Sequence, residues 1–435
     1  MMSRPSHTTT LRTAITAIAV VAMSALSWAG SPRSDIKANP KLSASGSVAY
    51  PDANLPRLTP APAGYRPFYI SHYGRHGSRY FDNYREPLAS LERANRHNCL
   101  TDLGKSALSR LREIARRADG RAGDLTALGA RQHQGIARRM FRNFPEVFAG
   151  NGKKLQARST VYPRCVLSMT NETGTLKSLN PYLDIHTDAS QADMGYMMHG
   201  TSGMSKVSTL AHSAVTTYTA AHTSHDKFVA RLMSDSTYAH DSISGSIMMR
   251  DMFAIASIQQ NQDDPIDLYD LFTDDEIFAL WDAENVSAYT LFGNAPVTKG
   301  LMPYSRAPLL RKIIADADKA IAGGEFCADL RFGHDMVVGP LACLLELDSC
   351  GVAVSDLEQV GNHWRNYCIY PMASNIQLVF YRKRGSSDTL VKALLNEHEA
   401  TLPVKTDMAP YYHWSDVRAY YISKLTKLEK SFNQL

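Results

Sequence analysis

Two guanidinium groups flank one imidazole in residues 75–80, whose sequence is Arg-His-Gly-Ser-Arg-Tyr. Arginine stays charged at any working pH, and its planar fork of donors matches the oxygens of a phosphate group. Arg75 and Arg79 could therefore hold a phosphoryl group against a ring nitrogen of His76, which as a neutral imidazole can attack phosphorus. The other ring nitrogen would need an acceptor, such as a backbone carbonyl, to fix the tautomer. Taken alone, the motif is equally compatible with a basic, exposed turn.

Two further segments carry the same kinds of group. Arg164 follows Pro163 at the start of a predicted helix, where the helix dipole also favours an anion. His334 and Asp335 follow a predicted strand and put a second imidazole beside a carboxyl group. Histidine, arginine and aspartate can together supply a nucleophile, a charge clamp and a proton donor.

A predicted strand precedes each of these three segments. Five strands are predicted in all, at residues 66–73, 154–158, 328–332, 375–382 and 389–394. In an open α/β sheet, the residues just past the carboxyl ends of the strands line a common crevice. We therefore expect the three segments to meet at one edge of a sheet.

Strand signals are concentrated at the two ends of the chain, and the middle is helical. We predict one α/β catalytic domain built from residues 57–168 and 326–435, with residues 169–325 inserted as a smaller helical lid domain. A helical pattern also covers residues 103–144, in which Thr126 is a predicted N-cap. A cleft between the domain and the insertion would be the usual place for a small-molecule site.

The composition is that of an ordinary globular protein. The chain has 435 residues, of which 44% are hydrophobic and 20% are charged, and this excludes a mostly disordered, collagen-like or coiled-coil protein. Its formal net charge is only +5, whereas nucleic-acid binders concentrate far more positive charge on one face. We therefore predict a small anionic substrate and no nucleic-acid partner.

The first 29 residues resemble a secretory signal peptide. Arg4 and Arg12 precede an uncharged stretch, residues 13–29, and small residues stand three and one positions before the predicted cleavage after Ala29. The alternative is a membrane anchor, which needs about 20 apolar residues. We predict an exported chain, periplasmic or secreted, that is monomeric and leaves the membrane after cleavage, with residues 30–56 as an N-terminal arm.

No pattern in the chain points to a metal or cofactor. An even number of cysteines in an exported protein permits disulfides, but the sequence does not choose among the pairings. The six cysteines are Cys99, Cys165, Cys327, Cys343, Cys350 and Cys368. They lack zinc-site spacing, His222 and His225 have no matching third ligand, and there is no P-loop or dinucleotide fingerprint. We expect no metal and no cofactor.

Together, the three segments resemble the histidine acid phosphatase family, the clade of histidine-type phosphatases that includes phytases. That family has an Arg-His-Gly-x-Arg motif near its N-terminus, matched here by residues 75–79. It also has an Arg-Thr or Arg-Cys helix start, matched by Arg164 and Cys165, and a His-Asp pair, matched by His334 and Asp335.

Two details refine this resemblance. Residues 125–132, Leu-Thr-x-x-Gly-x-x-Gln, are similar to the family's helix after the first motif. The first motif with Arg164 is closest to the multiple inositol polyphosphate phosphatase branch, many members of which carry His-Ala-Glu where this chain has His334 and Asp335. The resemblance implies a phosphoglycerate-mutase-like fold, a mixed sheet flanked by helices.

The resemblance also implies a role for each site residue. His76 would be the nucleophile that forms a phosphohistidine, and Asp335 would protonate the leaving alkoxide. The phosphoryl oxygens would be bound by Arg75, Arg79, Arg164 and His334. Asp335 must be protonated to act, so an acidic optimum is expected.

These observations predict an exported phosphomonoesterase that acts on inositol phosphates such as phytate. One alternative is a broad-specificity acid phosphatase that takes sugar or nucleotide phosphates. A second alternative, from a different class, is a protein that binds a phosphate ligand without turnover. Phosphate release distinguishes the last from the first two.

Overall fold

This computed structural model describes residues 30–51 and 55–435. These residues form a mixed sheet of eight strands. The strands are β1 (Tyr65–Arg75), β2 (Lys154–Ser159), β3 (Asp184–Asp188), β4 (Phe326–Gly333), β5 (Asn375–Lys383), β6 (Thr389–Leu395), β7 (His398–Ala400) and β8 (Tyr412–His413). Their order is β3-β2-β4-β1-β5-β6-β7, with β8 also paired to β6. The first four strands in this order are parallel, and the pairs from β1–β5 onward are antiparallel. The predicted signal peptide lies outside the described residues.

Helices cover both faces of the sheet and build a separate layer. They are α1 (Pro32–Ala38), α2 (Arg85–Arg96), α3 (Asp102–Arg117), α4 (Ala127–Asn143), α5 (Pro145–Phe148), α6 (Pro163–Leu179), α7 (Ser205–His222), α8 (Asp226–Leu232), α9 (Ser236–Ser242), α10 (Gly245–Ile258), α11 (Asp274–Phe292), α12 (Ala307–Ile321), α13 (Asp335–Leu345), α14 (Val360–His363), α15 (Asn366–Ile369) and α16 (Trp414–Asn433). Short 3₁₀ segments span Pro40–Ser47, Gln191–Asp193, Gln259–Asn261, Tyr269–Leu271, Pro296–Thr298, Met302–Arg306 and Leu357–Gln359, and a π-helical turn spans Gly195–His199.

The side chains of the central strand β1 alternate between the two faces of the sheet, and each face has its own hydrophobic core. Tyr69 and Tyr73 of β1 pack with α12, α13 and α16 on one side, whereas Ile70 packs with α4, α5 and α6 on the other. Because both faces are covered, β1 is buried almost continuously from Tyr69 onward, as is typical of central strands in such sheets. A third cluster lies between α2, α3, α8, α10 and α11.

The five predicted strands all form, whereas one predicted helical stretch is divided and the strands β3, β7 and β8 were not predicted. The helical pattern at residues 103–144 splits into α3 and α4, since Gly120 and Gly123 take positive φ angles between them. Thr126 caps α4 as predicted, by accepting a hydrogen bond from the Gly129 amide. Strand β3 was missed because it is a largely exposed edge strand without an apolar pattern.

The predicted domain boundaries remain a prediction. Strand β3 belongs to the sheet although it lies within residues 169–325, and α2 and α3 share a core with α8 and α10. The N-terminal arm is more ordered than an extended leader, because its helix α1 buries Ile36 and pairs Asp35 with Arg365 at 2.8 Å. Tertiary contacts far along the chain therefore determine the conformation of this segment.

The described residues contain neither a candidate membrane-spanning helix nor a disulfide bond. Within residues 30–51 and 55–435, no helix combines the length and the apolar character that crossing a bilayer requires. The six cysteines all lie in this described part of the chain, and none of them is paired in a disulfide.

The strand register brings the chemical segments together. Arg75 at the end of β1 is paired with Gly333 at the end of β4, and Ser159 at the end of β2 is paired with Phe332. The carboxyl ends of three neighbouring strands therefore coincide, as expected from the sequence. Because β5 runs antiparallel, its first residue Asn375 lies at the same edge, opposite Gly74.

Candidate active site

His76 is held by backbone hydrogen bonds on both sides. Its amide donates to the Gly333 carbonyl at 2.9 Å, and its carbonyl accepts from the Ala373 amide at 2.9 Å. The ring is buried, and its Nδ1 lies 2.9 Å from the Gly77 carbonyl oxygen. That oxygen can only accept, so Nδ1 carries the proton and Nε2 presents a lone pair.

The turn after His76 is pressed against two helices. The Gly77 amide donates to Ser168 Oγ of α6 at 3.1 Å, and the Ser78 amide donates to Gln132 Oε1 of α4 at 2.9 Å. A Cβ atom on Gly77 would lie 2.5 Å from the Gly129 carbonyl oxygen. Only glycine fits this close crossing, which explains the small residue beside the imidazole.

Arg75 is anchored at three points. One terminal nitrogen, Nη1, donates to the Tyr370 carbonyl at 2.8 Å and to the Gly46 carbonyl, and Nη2 pairs with Asp335 Oδ2 at 2.7 Å. Its side chain is buried. Sequence reasoning missed the contributions of Gly46 and Tyr370. Both residues contribute backbone carbonyl groups, which no side-chain pattern in the sequence marks.

Arg79 and Arg164 complete the set of guanidinium groups. Arg79 pairs with Asp82 at 2.8 Å and donates to the Tyr80 carbonyl. Arg164 lies in the first turn of α6, and its guanidinium is 5.3 Å from the ring centre of Tyr162. The buried Nε atoms of Arg75 and Arg164 have no hydrogen-bond partner among the described residues.

His334 and Asp335 open helix α13. The ring centre of His334 lies 5.6 Å from that of His76 and 5.0 Å from that of Tyr162, edge to face in both cases. Its Nε2 is 3.2 Å from Thr160 Oγ1, a contact that no sequence motif indicates. All six predicted site residues thus lie at one edge of the sheet.

The electrostatic surroundings keep both histidines neutral. Burial, with the Arg75 and Arg164 guanidinium groups, holds the pKa of His76 well below its usual range. Burial and Arg164 lower the pKa of His334 to about 4, although the Asp335 carboxylate opposes this shift. A neutral His76 is the form that can attack an electrophile.

Asp335 is ionised in the free protein. Burial alone would raise the pKa of its carboxyl group, but the Arg75 guanidinium, the Met336 amide and His334 outweigh burial and lower that pKa. The side chain is 36% exposed, so it also reaches the solvent. In the free protein, the Asp335 carboxyl group is therefore not in its protonated form.

A cleft of about 500 Å³ opens from this edge. Arg75, Arg79 and Asp335 line this cleft together with residues of α10 and α11, among them Arg250 and Glu284. This volume suits a small organic molecule.

Comparison with known proteins bears on the fold. No family model matches the chain, and no curated protein sequence is similar to it. Among solved structures, the apo multiple inositol polyphosphate phosphatase of Bifidobacterium longum has a TM-score of 0.71 at 18% identity, over 86% of this chain and 96% of that one. Its complex with inositol hexasulfate gives 0.70 at 19% identity over the same shares. The phytase of D. castellii gives 0.60 at 12% identity, over 88% of this chain and 85% of that one.

The chain therefore has the α/β fold of phytases and inositol polyphosphate phosphatases. In particular, its fold is similar to that of the B. longum enzyme over most of both chains. The fold expected from the resemblance to histidine acid phosphatases, a mixed sheet flanked by helices, is confirmed.

Proposed function

We propose that the protein is a phosphomonoesterase that forms a phosphohistidine on His76. The observation that carries this proposal is the tautomer of His76. Because Nδ1 donates to the Gly77 carbonyl, the lone pair lies on Nε2, in a ring whose pKa is lowered by burial and by neighbouring guanidinium groups. A neutral nucleophile among several cations is the arrangement that attack on an anionic phosphate ester requires.

In the first step, Nε2 of His76 forms a bond to phosphorus while the ester P–O bond breaks. Asp335 gives its proton to the leaving oxygen. The charge that develops on the phosphoryl oxygens is offset by Arg75, Arg79 and Arg164, and the neutral His334 ring binds these oxygens by a hydrogen bond. Each charge-assisted hydrogen bond contributes about 1.5–3 kcal/mol, so three arginines suffice to dominate substrate binding.

The proton that Asp335 needs arrives with the substrate. A phosphate ester whose second pKa is about 6 binds as the monoanion in mild acid. When its oxygens engage Arg75, the Asp335 carboxylate loses the cation 2.7 Å away and gains an anionic neighbour, so its pKa rises and it takes the proton. In the second step, a water oxygen bonds to phosphorus while the bond between phosphorus and His76 Nε2 breaks. Asp335 takes a proton from this water and passes it to the inorganic phosphate, which leaves as the monoanion, so that Asp335 is ionised again.

Two substrate classes are compatible with this chemistry. Inositol phosphates such as phytate are proposed because the structural relatives are named as a multiple inositol polyphosphate phosphatase and a phytase. Monoesters that carry a single phosphate are the second candidate, which the mixed charge of the cleft favours.

The remaining features of the proposal concern the whole chain. We propose that residues 1–29 are removed on export, that the mature chain acts in the periplasm or outside the cell, and that it works as a monomer. We also propose that residues 169–325 act as a lid over the sheet edge, and that turnover needs no metal or cofactor.

Phosphate release by the purified protein tests the proposed function. We expect turnover of an aryl phosphate in the presence of a chelator, and acid-labile, alkali-stable radioactive label on the protein after a rapid quench with ³²P-labelled substrate. His76→Ala should abolish both signals, whereas His186→Ala, which changes an exposed histidine on β3, should keep them. Substantial turnover by His76→Ala would exclude His76 as the nucleophile. Tight phosphate binding without turnover by the unaltered protein would favour the binding-protein alternative.

A further inference from the structure

One face of helix α11 lines the same cleft as the site residues. Leu280, Glu284, Ser287 and Leu291 follow one another at intervals of three or four residues, and all four line the cleft with Arg75. Glu284 is the one member of this face that can carry a charge. Neither the sequence motifs nor the proposed mechanism assigns it a role.

The cleft holds little positive charge beyond the phosphate cradle. The described cations that line it are Arg75, Arg79 and Arg250, and the carboxylates are Asp251, Glu284 and Asp335. A bound phosphoryl group would engage the first two arginines. Arg250, the remaining one, already pairs with its neighbour Asp251 at 3.0 Å.

The remaining side chains that line the cleft are uncharged. Phe81, Phe253 and Phe292 line it with the two leucines of the α11 face, and hydroxyl groups come from Ser43, Ser45, Ser47, Ser257, Ser287 and Tyr370. A substituent next to the scissile phosphate would therefore meet aromatic, aliphatic and hydroxyl groups and the Glu284 carboxyl group. Such surroundings suit an uncharged organic group, and an ionised Glu284 opposes a second phosphate.

We propose that Glu284 determines substrate choice by charge: once it is ionised, its carboxylate repels anionic groups around the scissile phosphate and shifts the preference of the site from inositol polyphosphates towards phosphate monoesters of an uncharged alcohol or phenol. The inference rests on the phosphatase activity proposed above and names the substrate class of the same site. Glu284 is a specificity-determining residue in this account, because it contacts the organic part of the substrate and takes no part in the bond changes.

The surroundings of Glu284 make this selection dependent on pH. Its side chain is exposed to the cleft, and desolvation by the surrounding protein together with the Asp335 carboxylate raises the pKa of Glu284 to about 7. Asp335 and Tyr370 interact electrostatically with Glu284, and the other charged groups that line the cleft are Arg75, Arg79, Arg250 and Asp251. Below about pH 7 Glu284 is neutral and repulsion is weak, and above it the carboxylate discriminates.

With inositol hexasulfate as the ligand, a change in pH alters the charge of the protein but not that of the ligand. Its sulfate groups stay ionised throughout the working range, whereas phosphate groups titrate near pH 6. The experiment measures its inhibition constant against p-nitrophenyl phosphate at about pH 5 and about pH 8, on either side of the Glu284 pKa. The proteins compared are the unaltered chain, Glu284→Gln, Glu284→Lys and the control Asp274→Asn, which removes an equal charge from the exposed start of α11.

For the unaltered chain, we expect inhibition to weaken from the lower to the higher pH by about tenfold more than in Glu284→Gln. Glu284→Lys should bind the hexasulfate more tightly at both pH values, and its kcat/KM for phytate should rise relative to that for p-nitrophenyl phosphate. Asp274→Asn should behave as the unaltered chain.

Equal pH dependence in the unaltered chain and Glu284→Gln would overturn the proposal, as would a preference of the unaltered chain for phytate at the higher pH. Absence of turnover of both substrates by the unaltered chain would instead overturn the proposed phosphatase function. Near-equal thermal unfolding temperatures of the four proteins would show that the comparison concerns binding and not folding.

Discussion

At the scale of single residues, the site combines a nucleophile that is neutral in acid with a proton donor that is ionised when the site is free. The lowered pKa of His76 keeps its Nε2 lone pair available well below neutrality. The lowered pKa of Asp335 means that its proton has to enter with the substrate. Activity is therefore expected to persist at acidic pH and to decline as the ester loses its second proton near pH 6.

Asp335→Asn tests the donor role through the leaving group. An alkoxide needs a proton to leave and a phenolate much less so, and general-acid help amounts to about 10²–10⁴-fold. We expect the kcat of the variant to fall by that order on an alkyl phosphate and far less on an aryl phosphate. Steady-state kinetics with the two esters measures the difference.

Asp82→Asn is the matched control for that substitution. It also removes a carboxylate that pairs with a site arginine, in this case Arg79 at 2.8 Å. Unlike Asp335, Asp82 is not proposed to protonate the leaving oxygen. It should affect both esters to a similar extent. Equal losses on both esters in Asp335→Asn would count against its role as the acid.

At the scale of elements, the site depends on how closely the turn after β1 approaches α4 and α6. Gly77 and Gly129 face each other at this crossing, and the Ser78 carbonyl accepts from the Thr126 amide at the start of α4. Helices α4 and α6 therefore determine where the backbone of the turn, and with it the His76 ring, lies. A side chain at the crossing would move the turn away from α4.

Gly77→Ala tests this packing. The added Cβ would lie 2.5 Å from the Gly129 carbonyl oxygen, so the backbone must shift, and the free energy of unfolding should fall by about 1–3 kcal/mol. Gly174→Ala on α6, where a Cβ meets nothing within 4 Å, should instead leave stability unchanged or raise it by about 0.5–1 kcal/mol. Urea unfolding of both variants checks the contrast. Equal stability of the two variants would show that the crossing tolerates a side chain.

At the scale of the whole molecule, buried titratable groups behind the site set a limit on acid stability. His72 of β1 is buried beside Glu172 of α6, at 3.9 Å, and Glu172 also contacts His133 of α4 at 2.9 Å. Burial lowers the pKa of His72 to about 4, against the partial opposition of Glu172. These three residues join strand β1 to helices α4 and α6, but the buried His72 makes the stability of the folded state sensitive to acid.

The sign of the effect follows from proton binding. Between about pH 6.5 and about pH 4, unfolded chains bind a proton at His72 that folded chains do not, so the free energy of unfolding falls as the pH falls, by at most about 3 kcal/mol. His334, whose pKa is also lowered to about 4, adds to this loss. Below about pH 4 the contribution of His72 no longer changes.

His72→Leu should therefore reduce the dependence of stability on pH. Urea unfolding at several pH values is expected to give a shallower slope between about pH 6.5 and about pH 4 than in the unaltered chain, with the slope due to His334 remaining. The control His186→Leu changes an exposed histidine and should keep the original slope. Identical slopes for all three proteins would mean that His72 is not a source of acid instability.

Sequence patterns by themselves determined five of the strands and the residues at their carboxyl ends. The parallel arrangement of β1, β2 and β4 then brings His76, Arg164 and His334 to one edge. These are local properties, because periodicity and turn chemistry act over a few residues. The six predicted site residues could be named for that reason.

Tertiary structure alone decided what surrounds those residues. Tyr370 and Gly46 hold Arg75 through backbone carbonyls, which any residue type can supply, so no pattern marks them. The charge states of Asp335 and Glu284 depend on burial and on charged groups from other elements, because these shift the pKa of each carboxyl group. Coulomb forces and desolvation act through space, between groups that are far apart in the chain, and so they exist only once the chain has folded.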